Sequence, residues 1–203
     1  MALKQLSIRD FDLPLAPEVQ EWLRFGKQRI QTYWDSFAER PLPQYVECDF
    51  ELVAATLSLC HQRGFIDGSL FVEWGAGFGI VTGIAAANGF EAVGIEAEEF
   101  LCEEATKLFA GQPWSAEIWH GNFLPRGARE LAIDEDPVVS LSHAIPPAYE
   151  EHDLELEDFA CVFAYPWPGE EHFLRLVFDR FARSGALMIM YRGPNQIEVM
   201  RRR

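Results

Sequence analysis

The spacing of apolar positions changes along the chain, and these changes outline its elements. Apolar residues recur at helical spacing through residues 17–38 and again through 49–63, which predicts two helices before the first strand. From residue 70 onward, short apolar runs alternate with helical stretches. Strands are predicted at 70–73, 91–96, 117–120, 160–164 and 186–191, with helices at 79–88, 98–109 and 170–182 and a short antiparallel strand at 197–200. This alternation predicts an α/β fold with an open, mostly parallel twisted sheet flanked by helices.

The net charge of the chain indicates which kinds of binding partner are unfavourable. The 203 residues include 17 Lys and Arg against 32 Asp and Glu, for a formal net charge of −15. Such a surface repels phosphate backbones, so nucleic acid is an unfavourable partner. Ten of the carboxylates lie in a long linker at 130–158. They either form a solvated face or attract a cationic substrate.

The same composition indicates a cytoplasmic protein. No apolar stretch reaches the roughly 20 residues of a membrane-spanning helix, and the first ten residues lack the apolar core of a secretory signal. The four cysteines are far apart and form no C-x-x-C pair, which fits a reducing compartment. His143 and His152 have no metal-ligand spacing, so no metal is predicted. Residues 201–203, three arginines, are expected to be a frayed tail.

The most informative motif lies where the first predicted strand meets the next helix. Residues 73–79 read Glu-Trp-Gly-Ala-Gly-Phe-Gly. Glycines at such a turn let the backbone approach a ligand closely, although any tight strand-to-helix turn also favours glycine. A dinucleotide fingerprint would need glycine where Ile80 or Thr82 stands, and the G-K-[ST] of a P-loop is absent.

The remaining pattern, E-x-G-x-G-x-G, resembles that of the class I, seven-strand, Rossmann-like methyltransferases, which bind S-adenosylmethionine. The resemblance runs from Tyr45 to the end of the chain. It implies the strand order 3-2-1-4-5 for the five parallel strands, counted in chain order. The segment after the fifth strand is too short for the family's usual closing hairpin, so a shortened edge is expected. The domains implied are a methyltransferase domain at 45–203 and an N-terminal helical extension or lid at 1–44.

The resemblance also implies cofactor contacts. In the family, the glycine turn and the acid before it bind the amino-acid part of the cofactor. An acid at the end of the second strand accepts both ribose hydroxyls, and here Glu96 stands 21 residues after Gly75. The alternative for Glu96 is a surface glutamate in an acidic run. The cofactor residues implied are Tyr45, Glu73, Gly75, Ala76, Gly77, Gly79, Glu96, Asn122 and Phe123.

The candidate acceptor region follows the fourth parallel strand. Enzymes that methylate nucleobase or glutamine amide nitrogens carry [DN]-P-P-[FYW] there, whereas residues 165–168 read Tyr-Pro-Trp-Pro. Tyr165 could orient or deprotonate a nucleophile, and Trp167 could stack beside the substrate or the sulfonium of the cofactor. Alternatively, the loop only ends the strand. Four N-terminal aromatic residues are equally consistent with a lid and with ordinary core: Trp22, Tyr33, Trp34 and Phe37.

These features together predict an S-adenosylmethionine-dependent methyltransferase acting on a small molecule or a protein side-chain amine, with no nucleic acid or membrane partner. The alternative is a catalytically silent relative that binds the cofactor or a partner protein. A nicotinamide oxidoreductase is disfavoured by Ile80 and Thr82. The sequence gives no indication of oligomeric state.

Overall fold

The computed structural model describes residues 3–8, 14–36, 45–131 and 145–203. The described strands are β1 Leu3–Leu6, β2 Leu70–Trp74, β3 Glu91–Glu96, β4 Ala116–His120, β5 Cys161–Ala164, β6 Leu187–Gly193 and β7 Gln196–Arg202. The described helices are α1 Pro17–Ser36, α2 Phe50–Gln62, α3 Ile80–Ala87, α4 Glu99–Phe109 and α5 Glu171–Phe181. Every helix and strand predicted from the spacing is therefore confirmed within a few residues.

The strands form one seven-stranded sheet in the order β1-β7-β6-β5-β2-β3-β4. The five from β2 to β6 are parallel, and their order confirms the predicted 3-2-1-4-5. Helices cover both faces, so β2 and β5 are buried on both sides, which is why these strands are almost continuously apolar. The strand order reverses between β2 and β5, because the chain first adds β3 and β4 on one side of β2 and then β5 and β6 on the other. Ligands on open α/β sheets bind at this switch point.

The edge of the sheet differs from the expectation of a shortened edge. Strand β7 pairs antiparallel with β6, and β1 pairs antiparallel with β7, where Leu3 lies opposite Arg202. The N-terminal segment therefore supplies an edge strand where only helix was predicted. Strand β1 has only four residues, which is too short to show a recognisable alternation of apolar and polar positions. Its partner β7 lies at the other end of the chain. The domain boundary at residue 45 stays a prediction.

The C-terminal arginines are also part of this edge, so the prediction of a frayed tail is wrong. Arg201 and Arg202 belong to β7. The amide of Arg202 donates to the carbonyl of Ala186 at 3.0 Å, and the guanidinium of Arg201 donates to the carbonyl of Phe65 at 2.8 Å. The backbone pairing of β7 therefore holds Arg201 and Arg202 in place, although their charge had suggested a solvated tail.

Helix α1 packs into the main core. Trp22 is buried and its indole N–H donates to the carbonyl of Ile80 at 2.8 Å, at the start of α3. Tyr33 is also buried and lies 5.3 Å from the ring of Phe78 in the glycine turn. These two aromatics are therefore core residues; Trp34 is partly buried against the same core. Phe37 lies outside the described residues.

The described parts of the 124–158 linker cover the other face of the sheet. They contain short 3₁₀ helices, and Tyr149 is buried with its hydroxyl 2.9 Å from the indole nitrogen of Trp74. His152 stacks on Trp119, while His143 lies outside the described residues. Within the described ranges, no cluster of three His, Cys, Asp or Glu could hold a metal, and no helix is long and apolar enough to span a membrane.

Candidate functional site

A cavity of about 750 Å³ lies at the carboxyl ends of β2, β3 and β5. Its walls come from the glycine turn, the start of α4, the loop after β5, and the chain that leads into α2 from Tyr45 to Phe50. This is the switch point of the sheet, where backbone groups at strand ends face a crevice. The predicted site residues that line it are Tyr45, Glu73, Gly75, Ala76, Gly77, Glu96, Phe123, Tyr165 and Trp167. Gly79 and Asn122 do not line it.

The three glycines of the turn share a left-handed backbone but face different neighbours. A Cβ on Gly75, at φ +73°, would meet nothing within 4 Å, so this glycine leaves open space beside the cavity. A Cβ on Gly77, at φ +56°, would come within 2.8 Å of the Tyr45 ring. A Cβ on Gly79 would lie 2.8 Å from Phe109 of α4. Gly79 therefore serves helix packing, whereas Gly75 and Gly77 form the cavity wall.

Glu73, at the end of β2, connects the strand to helix α3. Its Oε2 accepts hydrogen bonds from the backbone N–H of Thr82 at 2.7 Å and from the Thr82 hydroxyl at 2.6 Å. Burial raises the pKa of Glu73 to about 8, and the bonds from Thr82 oppose that rise. The carboxyl is therefore mostly protonated at neutral pH, and a cationic group in the cavity would favour its ionised form.

Glu96 fixes the glycine turn to the end of β3. Its Oε2 accepts from the amide of Gly77 at 2.7 Å, and its Oε1 accepts from the amides of Ala97 at 2.8 Å and Glu98 at 3.0 Å. Its residue exposure is 9%, so it is not a surface glutamate. A carboxylate has about four acceptor positions, and three are taken by backbone. One position on Oε2 remains, fewer than the two expected from the resemblance.

Asn122 and Phe123 follow β4 and have different roles. Asn122 is buried, and its Oδ1 accepts from the amide of Leu124 at 2.9 Å. That bond closes the turn, so the structure brings Asn122 behind the cavity wall and not into it. Phe123 lines the cavity and stacks on Trp74 with 5.3 Å between ring centroids and an interplanar angle of 14°. The pair presents a flat apolar wall.

Tyr45 covers the glycine turn from the opposite side. Its ring meets Phe78 edge to face at 4.9 Å. Its hydroxyl is buried and has no hydrogen-bond partner in the described part of the chain. Burial raises the pKa of Tyr45 well above the ordinary value of 10, so the hydroxyl stays protonated. An unsatisfied buried hydroxyl at a cavity wall is free to bond a ligand.

The loop after β5 places both predicted catalytic side chains at the cavity. Tyr165 packs edge to face on Tyr191 at 4.8 Å. Burial raises the pKa of Tyr165, so its phenol can donate or accept a hydrogen bond but is a poor base at neutral pH. Trp167 is 38% exposed at the mouth. Of the two roles predicted for Tyr165, orienting a nucleophile is the one that a protonated phenol can fill.

The cavity residues that had not been predicted include Val46, Cys48 and Arg192. Arg192 stands near the carboxyl end of β6, directly after the strand predicted at 186–191. The rule that ligands bind at the carboxyl ends of parallel strands could have found it. Cys48 and Val46 come from the segment before α2, where the resemblance had implied only Tyr45 as a cofactor residue. Burial raises the pKa of the Cys48 thiol, which keeps it protonated.

Comparison with known proteins gives structural matches alone. No family model matches the sequence, and no curated protein matches it. The O-methyltransferase from Bacillus cereus in complex with SAH superposes with a TM-score of 0.52 at 16% identity, covering 88% of this chain and 67% of that one.

Further matches are the precorrin-6y C5,15-methyltransferase from Geobacter metallireducens GS-15 and the CcbJ methyltransferase from Streptomyces caelestis. Their TM-scores are both 0.45, at 15% and 17% identity. They cover 76% and 78% of this chain, and this chain covers 68% and 54% of theirs. The chain thus spans between about half and two thirds of the length of these solved structures. The parallel order of the central strands, the glycine turn and the match to the Bacillus cereus structure agree: the chain has the fold of the class I, Rossmann-like methyltransferases.

Proposed function

We propose that this chain is an S-adenosylmethionine-dependent methyltransferase. The observation that carries the proposal is the glycine turn at the sheet's switch point. Gly75 leaves open space beside the cavity in a left-handed backbone, and Glu96 holds the turn in place through the amide of Gly77. A preformed backbone wall of this kind suits a ligand that approaches closely.

The residues around the turn fit the chemical groups of the cofactor. Glu73 would face its ammonium group, because a buried carboxyl gains most from a cationic partner. Glu96 would accept a ribose hydroxyl on the open position of Oε2, and Phe123 would provide an apolar wall for the adenine. The Tyr45 hydroxyl has unused bonding capacity at the same wall. Gly79 and Asn122 would support the site from behind.

The cofactor supplies a methyl group on a sulfonium, which leaves as a neutral thioether when the acceptor's lone pair displaces it. Such a displacement depends on alignment more than on a general base. Tyr165 would orient the nucleophile through its hydroxyl, Trp167 would form the wall beside it, and the acceptor's proton would pass to water. The acceptor class we propose is a small molecule or a protein amine. The formal charge of −15 and the Tyr-Pro-Trp-Pro sequence disfavour nucleic acid.

Calorimetric titration with S-adenosylhomocysteine and with NAD tests the proposal. We expect saturable binding of S-adenosylhomocysteine and none of NAD. Absence of S-adenosylhomocysteine binding by the folded protein would overturn the assignment. If it binds but a panel of amine, hydroxyl and thiol acceptors releases no S-adenosylhomocysteine from S-adenosylmethionine, the fold is catalytically silent.

A further inference from the structure

The cavity has a second half, formed by the loop after β5 together with Val46 and Arg192, and part of its surface is apolar. Among the described residues, three large hydrophobic side chains are exposed: Phe25 at 42%, Val46 at 53% and Trp167 at 38%. Val46 and Trp167 both line the cavity. Exposed apolar side chains that gather at a cavity mouth mark a place where a ligand covers them.

Arg192 is the one basic side chain among the described residues that line this cavity. Its guanidinium pairs with Glu171 at 3.3 Å and with Glu198 at 3.4 Å. Both distances exceed the roughly 2.7–2.9 Å of a tight charge-assisted hydrogen bond. A guanidinium has five N–H donors, so Arg192 retains donors for an anionic group at the mouth.

The carboxylates of the same half are directed at the backbone. Glu170 is buried, and its Oε2 accepts from the amide of Trp167 at 3.2 Å. Glu171 accepts from the amide of Gly169 at 2.9 Å in addition to its pair with Arg192. These bonds shape the loop that carries Trp167. Glu170 and Glu171 therefore hold the loop, and Arg192 is the side chain of this wall that can donate to an anionic group.

We infer that this half of the cavity binds a planar, apolar small molecule carrying an anionic group, with its ring against Trp167 and Val46 and the anion on Arg192. The inference rests on the proposed function, because it names the class of acceptor for the same site. It differs from the cationic acceptor that the acidic linker at 130–158 suggested. Much of that linker, residues 132–144, lies outside the described residues.

Three probes that share one ring separate charge from shape: indole-3-acetate, indole-3-acetamide and tryptamine. Each is titrated into the full chain with S-adenosylhomocysteine absent and then saturating. We expect indole-3-acetate to bind about tenfold more tightly than the neutral amide, because a charge-assisted hydrogen bond is stronger than a neutral one. Tryptamine should bind most weakly.

Substitutions at Arg192 and Trp167 test the contact of each side chain with the probes. Arg192→Gln should remove the tenfold preference for indole-3-acetate and leave the amide within twofold. The matched control is Arg175→Gln, since Arg175 pairs with the same Glu198 but does not line the cavity. Trp167→Ala should weaken all three probes about equally, whereas Phe25→Ala, at a similarly exposed position outside the cavity, should weaken none. Thermal unfolding confirms that each variant is folded.

The outcomes separate this inference from the proposed function. Tightest binding of tryptamine would overturn the inference in favour of a cationic acceptor. Equal affinities, no detectable probe binding, or an Arg192→Gln variant that keeps the preference would also overturn it. Failure of S-adenosylhomocysteine to bind would instead overturn the proposed function, whatever the probes show.

Discussion

The two halves of the cavity are stabilised in different ways. Around the glycine turn, Glu73 and Glu96 are buried, and the hydrogen bonds they accept come from Thr82 and from backbone amides. Around the acceptor half, Val46 and Trp167 are exposed and the charged side chains pair with one another or with the loop backbone. The wall around the glycine turn is formed mainly by backbone, whereas the wall of the acceptor half is formed mainly by side chains. Substitutions should therefore separate cofactor binding from acceptor binding.

The largest expected effect is at Gly77. Gly77→Val should abolish binding of S-adenosylhomocysteine, because a side chain there would strike the Tyr45 ring and strain a left-handed backbone. Titration calorimetry measures the affinity, and circular dichroism verifies that the domain is still folded.

The matched control for this substitution is Gly111→Val. Gly111 also has a left-handed backbone, at φ +84°, but a Cβ there would meet nothing within 4 Å and it does not line the cavity. Its variant should bind S-adenosylhomocysteine normally. Unchanged affinity in Gly77→Val would contradict the placement of the cofactor at this turn.

A smaller loss is expected at Glu96. Glu96→Ala removes the acceptor for three backbone amides and for the ligand hydroxyl, so affinity should fall about tenfold to a hundredfold. The melting temperature should fall as well, because buried donors lose their partner. Glu103→Ala, an exposed position in the same acidic run, is the control. A loss below twofold would mean that Glu96 serves the turn alone.

Glu73 gives the cofactor half a pH dependence. Its pKa of about 8 means that the carboxyl must ionise to pair with an ammonium group. Affinity for S-adenosylhomocysteine should therefore rise with pH, by about tenfold from pH 6 to pH 7, and level off near pH 8. Glu73→Gln should make the affinity nearly independent of pH in this interval. A flat profile for the unaltered protein would rule out ionisation of Glu73 on binding.

The same ionisation acts on stability with the opposite sign. The folded state holds the Glu73 proton more tightly than the unfolded state, whose ordinary pKa is 4.5. The contribution of Glu73 to the free energy of unfolding is therefore greatest below pH 4.5 and declines as pH rises to about 8. Urea denaturation of the ligand-free protein at several pH values, compared with Glu73→Gln, measures this decline. If Glu73→Gln shows the same decline in stability with pH, the decline comes from other titratable groups.

The smallest effect is expected in the acceptor half. Tyr165→Phe removes one hydroxyl and leaves the ring in its packing against Tyr191. We expect turnover, once an acceptor is known, to fall about threefold to tenfold, the usual contribution of a neutral hydrogen bond. Affinity for S-adenosylhomocysteine should stay within twofold. A loss of cofactor affinity comparable to that of Glu96→Ala would contradict the division of the cavity into two halves.

The sequence predicted the parts of the site that depend on local geometry. The glycine turn and Glu96 lie where predicted, because strand periodicity and positive φ angles are tied to residue type over a few positions. It did not predict that Asn122 turns away from the cavity or that Glu96 has three amide partners. Those facts depend on how loops from separate strands meet.

The sequence by itself determined the α/β class and the position of the glycine turn, which follow from hydrophobic spacing and from the glycines themselves. The order of the five parallel strands was implied by the resemblance to the methyltransferases. Tertiary structure alone decided that β1 completes the sheet edge, that Tyr45 covers Gly77, and that Arg192 and Trp167 line the same cavity. The physical reason is that each of these arrangements brings together residues far apart in the chain. The type of a residue does not determine which distant group will accept its hydrogen bond or pack against its ring.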